Sequence, residues 1–322
     1  MKAMVFERYG SPDVMKLKEV EKPIAKDDEV LIKVQATSVN DWDWGLVRGK
    51  PFIIRMIFGA FFKPKIKIAG TDVAGTVEAV GKDIKTFEVG DAVYGDLSEC
   101  EFGGFAEYVC VKENALMLKP AEISFEEAAA TPHAAILAVQ GLIDEGKIKK
   151  GQKILINGAG GGVGTFGIQI AKQYNVEVTG VDSAEKLTMM KSLGFDHVID
   201  YKKQDFTKNG QQYDLILDAK TNRSIFAYTK SLKPNGTYVT VGGEMSRIIQ
   251  IALFGGLTSF STKKKLKVLS LKPNKGMDYI NKLFDKGQIT PVIDGPYKLK
   301  ELPKILQYFG DGRHKGKVVI RI

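Results

Sequence analysis

From Lys153 to Gly164 the chain reads Lys-Ile-Leu-Ile-Asn-Gly-Ala-Gly-Gly-Gly-Val-Gly, a short apolar run that breaks into glycines. This pattern suits dinucleotide binding. Residues without a Cβ let the chain turn tightly and let a pyrophosphate approach the amides that open the next helix. Gly158, Gly161, Gly162, Val163 and Gly164 are the candidate backbone contacts. Asp182 follows Gly164 by 18 residues, near the spacing at which a carboxylate reaches ribose hydroxyls. A carboxylate there accepts from a 2'-hydroxyl and repels a 2'-phosphate, whereas Ser183, Lys186 and Tyr201 suit the phosphate. The balance leans to NAD(H) over NADP(H), with Gly242 completing the candidate set. The glycines form G-x-x-G-x-x-G rather than the strict fingerprint, in which Ala159 would be glycine. No Gly-Lys-Ser/Thr follows, which excludes a phosphoryl-transfer loop.

The elements that must position this loop are legible around it. Val163, Phe166, Ile170, Ala171 and Tyr174 recur with helical period, and Val176 to Val181 reads as a second strand. Strands and helices then alternate: Tyr213 to Asp218, Arg223 to Leu232, Gly236 to Val241, Leu266 to Leu269 and Lys275 to Lys286. This is the pattern of an α/β, doubly wound parallel sheet. Residues before about 120 read instead as short strands at Glu29 to Val34, Val73 to Val80 and Phe105 to Val111, divided by glycine turns. The tail beyond Thr290-Pro291 carries a short helix around Leu302 to Tyr308 and a closing strand from Lys317, and is expected to return to the first domain. The predicted division is residues 1–123 with 290–322, and residues 124–289.

At 322 residues the chain has room for two cores. Two cysteines, Cys100 and Cys110, give no disulfide framework, and a reducing cytoplasm is the expected compartment. The net charge of +9 includes Lys263-Lys264-Lys265, but the aromatic interleaving of a nucleic-acid platform is missing, so no nucleic-acid partner is expected.

Several segments together resemble the medium-chain dehydrogenase/reductase superfamily: Ile68 to Gly81, Val89 to Tyr94, Gly104 to Tyr108, the loop Gly158 to Gly164, and Gly316-Lys317-Val-Val-Ile320. The resemblance spans the chain and implies a GroES-like β-rich catalytic domain beside a Rossmann domain. It places Lys317 among the cofactor-binding candidates. Where the family's zinc-dependent alcohol dehydrogenases carry a cysteine and a His-Glu pair, this chain has Asn40 and Thr71-Asp72, with His133 near the third ligand position. The structural lobe of four cysteines is absent. These departures resemble the quinone oxidoreductase branch, which works without metal, and Ser38-Val-Asn40 matches its asparagine beside the nicotinamide. Val198-Ile-Asp-Tyr201 resembles the same branch, where the tyrosine borders the adenosine end of the cofactor.

The resemblance thus implies reduction of a quinone or an α,β-unsaturated carbonyl by hydride from NAD(P)H. A conjugated acceptor needs only hydrogen bonds to its developing oxyanion, for which Asn40, Thr71 and His133 are the candidate donors. Asn40 doubles as a ribose contact. The alternative is a non-catalytic nucleotide-binding protein, membrane-peripheral in one form. The apolar segment Phe52 to Phe62, with Trp42 and Trp44, reads as pocket wall for a small apolar substrate, then as core, then as membrane contact. A homodimer is expected, and the second apolar segment, Ile248 to Leu257, reads either as pairing across it or as bordering the same substrate cleft.

Overall fold

The computed structural model describes residues 1–58 and 61–322. The chain divides into two compact units. Unit 1 comprises Met1–His133, Pro273–Gly287 and Pro291–Ile322, and unit 2 comprises Ala134–Lys272 with Gln288–Thr290.

Along the chain, unit 1 opens with a hairpin of β1 (Lys2–Val5) and β2 (Lys16–Glu19). Then come β3 (Glu29–Ser38), α1 (Asp41–Arg48), α2 (Ile53–Ile57), β4 (Asp72–Val80), β5 (Ala92–Asp96), β6 (Tyr108–Lys112), β7 (Met117–Leu118) and α3 (Phe125–Ala129). In β3 the fully buried Val30, Ile32 and Ala36 alternate with exposed or half-buried Lys33 and Gln35, the period of a strand with one face in the core. α4 (Pro132–Val139) leads into unit 2.

Unit 2 contains β8 (Lys153–Asn157), α5 (Gly162–Lys172), β9 (Glu177–Asp182), α6 (Leu187–Ser192), β10 (His197–Asp200), β11 (Tyr213–Asp218), α7 (Ile225–Ser231), β12 (Leu232–Thr240), α8 (Met245–Thr262) and β13 (Lys265–Val268). Its six strands run parallel in the order β10-β9-β8-β11-β12-β13. Ile154, Leu155 and Ile156 are buried on both faces of β8, as a strand inside a parallel sheet requires. The winding reverses between β8 and β11, and a doubly wound sheet binds its ligand beyond the carboxyl ends of the strands at such a point. The glycine loop leaves the carboxyl end of β8.

The chain then supplies unit 1 with α9 (Met277–Asp285), β14 (Ile293–Lys298), α10 (Leu302–Gly310) and β15 (Lys317–Arg321). The main sheet of unit 1 runs β14-β15-β3-β4-β5-β7, with β6 also on β3. The expected return of the tail is the antiparallel pairing of β15 with β3, Val319 opposite Ser38.

The units divide at 133/134, where the sequence pattern suggested 123/124, because α3 packs on β3 and β4. The stretch 273–287, read from sequence as part of the nucleotide domain, groups with unit 1. Asn281 accepts from the Tyr94 hydroxyl, and Asn274 brackets Asp96 by accepting from its N–H and donating to its carbonyl oxygen, at 2.8 and 3.0 Å. An amphipathic helix suits either unit, and these polar ties decide it.

The segment from Phe52 divides. Ile54 and Phe58 join the core cluster of unit 1, Phe58 packing edge-on against Trp42 and Phe102. Phe52, Ile53, Met56, Ile57, Phe61 and Phe62 are exposed, so most of the segment is not core. Gly59 and Ala60 lie outside the described residues.

Candidate functional site

Unit 1 holds a cluster of buried polar side chains where β3, β4, β5, β15 and the start of α1 and α4 meet. Asp72, at the head of β4, has no exposed surface. Its Oδ2 accepts from Ser38 Oγ at 2.7 Å, Asn40 Nδ2 at 2.9 Å and Lys317 Nζ at 3.0 Å, and its Oδ1 accepts from the main-chain N–H of His133 at 2.9 Å. Lys317 Nζ also donates to Asn40 Oδ1 at 2.5 Å. The Asn40 amide is therefore gripped at both ends, its oxygen by an ammonium and its nitrogen by a carboxylate. One Nδ2–H remains uncommitted to these partners.

A second carboxylate ties the candidates together. Asp43 accepts from the main-chain N–H of Asn40 at 2.8 Å, that of Gly70 at 2.8 Å and Thr71 Oγ1 at 3.0 Å. It is the third residue of α1, so the same bond to Asn40 caps that helix. Burial pushes the Asp43 carboxyl up to about 7, even though these three donors favour its charged form. A third carboxylate, Asp96 at the end of β5, lies 2.7 Å from His133 Nδ1. Burial opposes charge on both partners, but their mutual attraction prevails: Asp96 is held below the usual carboxylate range and His133 above the usual imidazole range. Nδ1 is thereby occupied and Nε2 is the free ring nitrogen.

Unit 2 carries the nucleotide loop. The first helical bond of α5 runs from Thr165 N–H to the Gly161 carbonyl, so the N–H groups of Gly162, Val163 and Gly164 point off the helix end without intrahelical acceptors. A Cβ on Gly164 would collide with the backbone of Ala159, which is why only glycine lets the helix close on the loop. These are the features of an anion cradle, and they fit a nucleotide pyrophosphate.

The structure also brings Asp182, Ser183 and Lys186 to this loop. Asp182 Oδ2 accepts from Gly160 N–H at 2.9 Å, and its Oδ1 accepts from Ser183 N–H at 2.8 Å and lies 3.3 Å from Lys186 Nζ. The carboxylate expected to await a ribose is thus engaged with the loop itself, and its charge is balanced by a buried lysine. Tyr201 donates its main-chain N–H to the Asp182 carbonyl and leaves its side chain exposed. Gly242 follows β12, its carbonyl accepting from Thr240 Oγ1. Lys317 lies in the unit 1 cluster with Asn40 and Asp72, not in the loop of unit 2.

Sequence reasoning missed Asp43 and Asp96. The available signal was a carboxylate at the boundary of an apolar run, as in Tyr94-Gly-Asp96, and an acid at the third position of a helix.

Two family models match the chain. The model of the alcohol dehydrogenase GroES-like domain matches residues 26–121, and that of the zinc-binding dehydrogenases matches residues 193–320. The tomato (Solanum lycopersicum) 2-methylene-furan-3-one reductase is 34% identical over 335 residues, covering 99% of this chain and 79% of that protein. The chain belongs to the medium-chain dehydrogenase/reductase superfamily. Within this superfamily it falls in the quinone oxidoreductase-like branch. The Arabidopsis thaliana NADPH-dependent alkenal/one oxidoreductase is also 34% identical, over 99% of this chain and 79% of that one. The quinone oxidoreductase of Coxiella burnetii superposes with a TM-score of 0.88 at 27% identity, covering 100% of this chain and 99% of that one.

The superfamily includes zinc enzymes, and the residues here do not fit that metal. Among the described residues no group of three or more His, Cys, Asp or Glu side chains converges as a ligand set. Asp72 is saturated by four donors, one of them already a cation, and His133 Nδ1 is taken by Asp96.

Proposed function

We propose that this protein is an NAD(P)H-dependent oxidoreductase that reduces quinones or α,β-unsaturated carbonyls without a catalytic metal. The observation that carries this is the Lys317–Asn40–Asp72 cluster, which puts an oriented amide and a buried ammonium where a zinc enzyme of the superfamily would need ligands. The names of the tomato, Arabidopsis and Coxiella relatives support the same substrate class.

When bound at the loop of unit 2, the reduced nicotinamide nucleotide supplies the hydride. The N–H groups of Gly162, Val163 and Gly164 hold its pyrophosphate. Lys186, whose charge offsets Asp182, removes much of the repulsion that Asp182 would exert on a 2'-phosphate, so NADPH is accepted as well as NADH. In unit 1 the remaining Nδ2–H of Asn40 steadies the oxyanion that develops on the acceptor. The Thr71 hydroxyl proton is committed to Asp43 while that carboxylate is charged. Once Asp43 takes up a proton, it can donate to Thr71 Oγ1 and release the Thr71 proton for the substrate. His133 Nε2 is a further donor when the ring is protonated, the form that Asp96 favours.

The test is NADPH and NADH oxidation at 340 nm with quinones and enones, alongside alcohol oxidation, on protein of measured metal content. Reduction of conjugated acceptors that survives chelation supports the proposal. Efficient ethanol oxidation dependent on one bound zinc per chain would overturn it. Nucleotide binding without turnover of any acceptor would favour a non-catalytic role. Lys186→Ala should weaken NADPH more than NADH, and equal weakening would remove the 2'-phosphate role.

A further inference from the structure

Unit 1 contains a cleft of about 430 Å³, within the range of small-molecule sites. Three cations line it: Arg48 in the last turn of α1, Lys50 just beyond that helix, and Arg55 of α2. No carboxylate is among the lining residues. Two flanking acids, Asp13 and Asp311, accept from Ser11 Oγ and Gln307 Nε2 and line the adjoining cleft instead. None of the three cations has an ion-pair partner among the described residues.

The two guanidinium groups are seated on aromatic rings. Arg48 lies 4.3 Å from the centre of the Trp44 ring and Arg55 lies 4.5 Å from that of Tyr9. Each ring in turn needs a glycine behind it. A Cβ on Gly310 would lie 2.4 Å from Trp44 ring atoms, and one on Gly49 would lie 2.7 Å from the Tyr9 ring. Gly310 closes α10, where alanine would favour the helix more, so the glycine serves the ring and not the helix. Arg55 donates Nε to the Gly49 carbonyl at 3.0 Å and Nη1 to the Phe61 carbonyl at 3.3 Å, leaving the rest of its five N–H donors. Those acceptors are neutral, so its charge stays unbalanced.

We infer that this cleft binds a phosphate monoester, with Arg48, Lys50 and Arg55 as its cationic contacts. Three cations around one cleft repel one another, and a group carrying close to two negative charges relieves that repulsion better than a single carboxylate. Planar guanidinium groups offer paired N–H donors to phosphate oxygens, and Lys50 adds a compact point charge. The helix dipole accounts for a cation in the last turn of α1. It does not account for Arg55, which comes from another helix. A soluble compound and a lipid headgroup present the same monoester chemistry to the cleft.

The test uses the full chain. Trp42→Phe leaves Trp44, beneath Arg48, as the sole tryptophan, so its fluorescence reports on the cleft. Glycerol 3-phosphate should change that signal saturably, with a Kd below about 1 mM, and should bind more weakly as salt is added. Arg55→Gln and Lys50→Gln leave the Trp44–Arg48 stack in place and should each raise the Kd at least about tenfold. Arg55→Lys should recover part of the loss. Calorimetry should show the same weakening for Arg48→Gln. NADPH affinity and far-ultraviolet circular dichroism should stay unchanged in all three glutamine variants, which separates lost contacts from misfolding. Because the glycine loop of unit 2 is also an anion cradle, Lys186→Ala serves as the control and should leave the Trp44 response intact. Cosedimentation with phosphatidylcholine vesicles containing phosphatidic acid, dependent on Arg48 and Arg55 and tighter than glycerol 3-phosphate, assigns the monoester to a lipid. Weaker vesicle binding assigns it to a soluble compound. No saturable binding of either probe overturns the proposal, as does binding indifferent to Arg48→Gln and Arg55→Gln.

Discussion

Lys317→Met should uncouple the buried cluster of unit 1 and destabilise that unit. The Lys317 side chain is 4% exposed and Asp72 is fully buried, so the substitution removes a cation without admitting water to replace it. Breaking a buried pair by deleting one partner costs about 3–5 kcal/mol. Asp72 keeps the hydroxyl of Ser38, the amide of Asn40 and the N–H of His133 as donors, which places the loss near the lower end, about 3 kcal/mol. At roughly 2–4 °C per kcal/mol this is a fall in melting temperature on the order of 6–12 °C. A two-unit chain need not melt in one step, but both tryptophans, Trp42 and Trp44, lie in unit 1, so tryptophan fluorescence follows that unit alone. The double variant Lys317→Met/Asp72→Asn removes the stranded charge and should recover most of the loss. A single variant melting within ~1 kcal/mol of wild type, or a double variant no better than the single, would refute the charge-pair reasoning.

Two other outcomes follow from the same geometry. Asp43 has a folded-state pKa raised from 3.8 to about 7, so the fold favours its protonated form. Its contribution to stability is full below the unfolded pKa, declines as pH rises toward 7 and then levels, a change on the order of 4 kcal/mol. Asp43→Asn should therefore flatten the fall of stability with pH between about 4 and 7 by up to ~1.4 kcal/mol per pH unit, measured by urea titration at several pH values. Parallel curves for the two proteins would contradict this. Gly164→Ala should abolish nucleotide binding, because its Cβ meets the Ala159 backbone and the loop must open. Unchanged NADPH affinity by fluorescence titration would show that the loop is not the pyrophosphate cradle.

The nucleotide loop was legible because its constraints are local. The glycines, the apolar strand before them and the helical period after them lie within twenty or so consecutive residues. The return of the last strand was legible from its distance beyond the alternating pattern. The unit 1 cluster was only half visible. Asn40, Thr71, His133 and Lys317 were found through family resemblance, but Lys317 lies 245 residues beyond Asp72, and no periodicity announces that the two pair. Offset counting located Asp182 correctly at the end of its strand. It could not reveal that the side chain turns back to the loop and to Lys186, because that depends on how Gly160 presents its N–H. The helix after Pro273 was assigned to the wrong unit for a similar reason, since amphipathic spacing marks a buried face without saying what it is buried against.

The division of unit 1 into three separate stretches of chain orders its assembly during synthesis. Unit 2 arises almost entirely from one continuous stretch, 134–272, and can complete its sheet before the final strand is made. Unit 1 has by then its β3–β4 ladder and three buried carboxylates but not Lys317. The emerging chain thus carries an unneutralised Asp72 at the heart of its first sheet until β15 threads alongside β3. The strand that joins β3 also delivers the counter-ion, so electrostatic completion and topological closure are one event, and the early segment has little reason to commit to its native packing before β15 has been made.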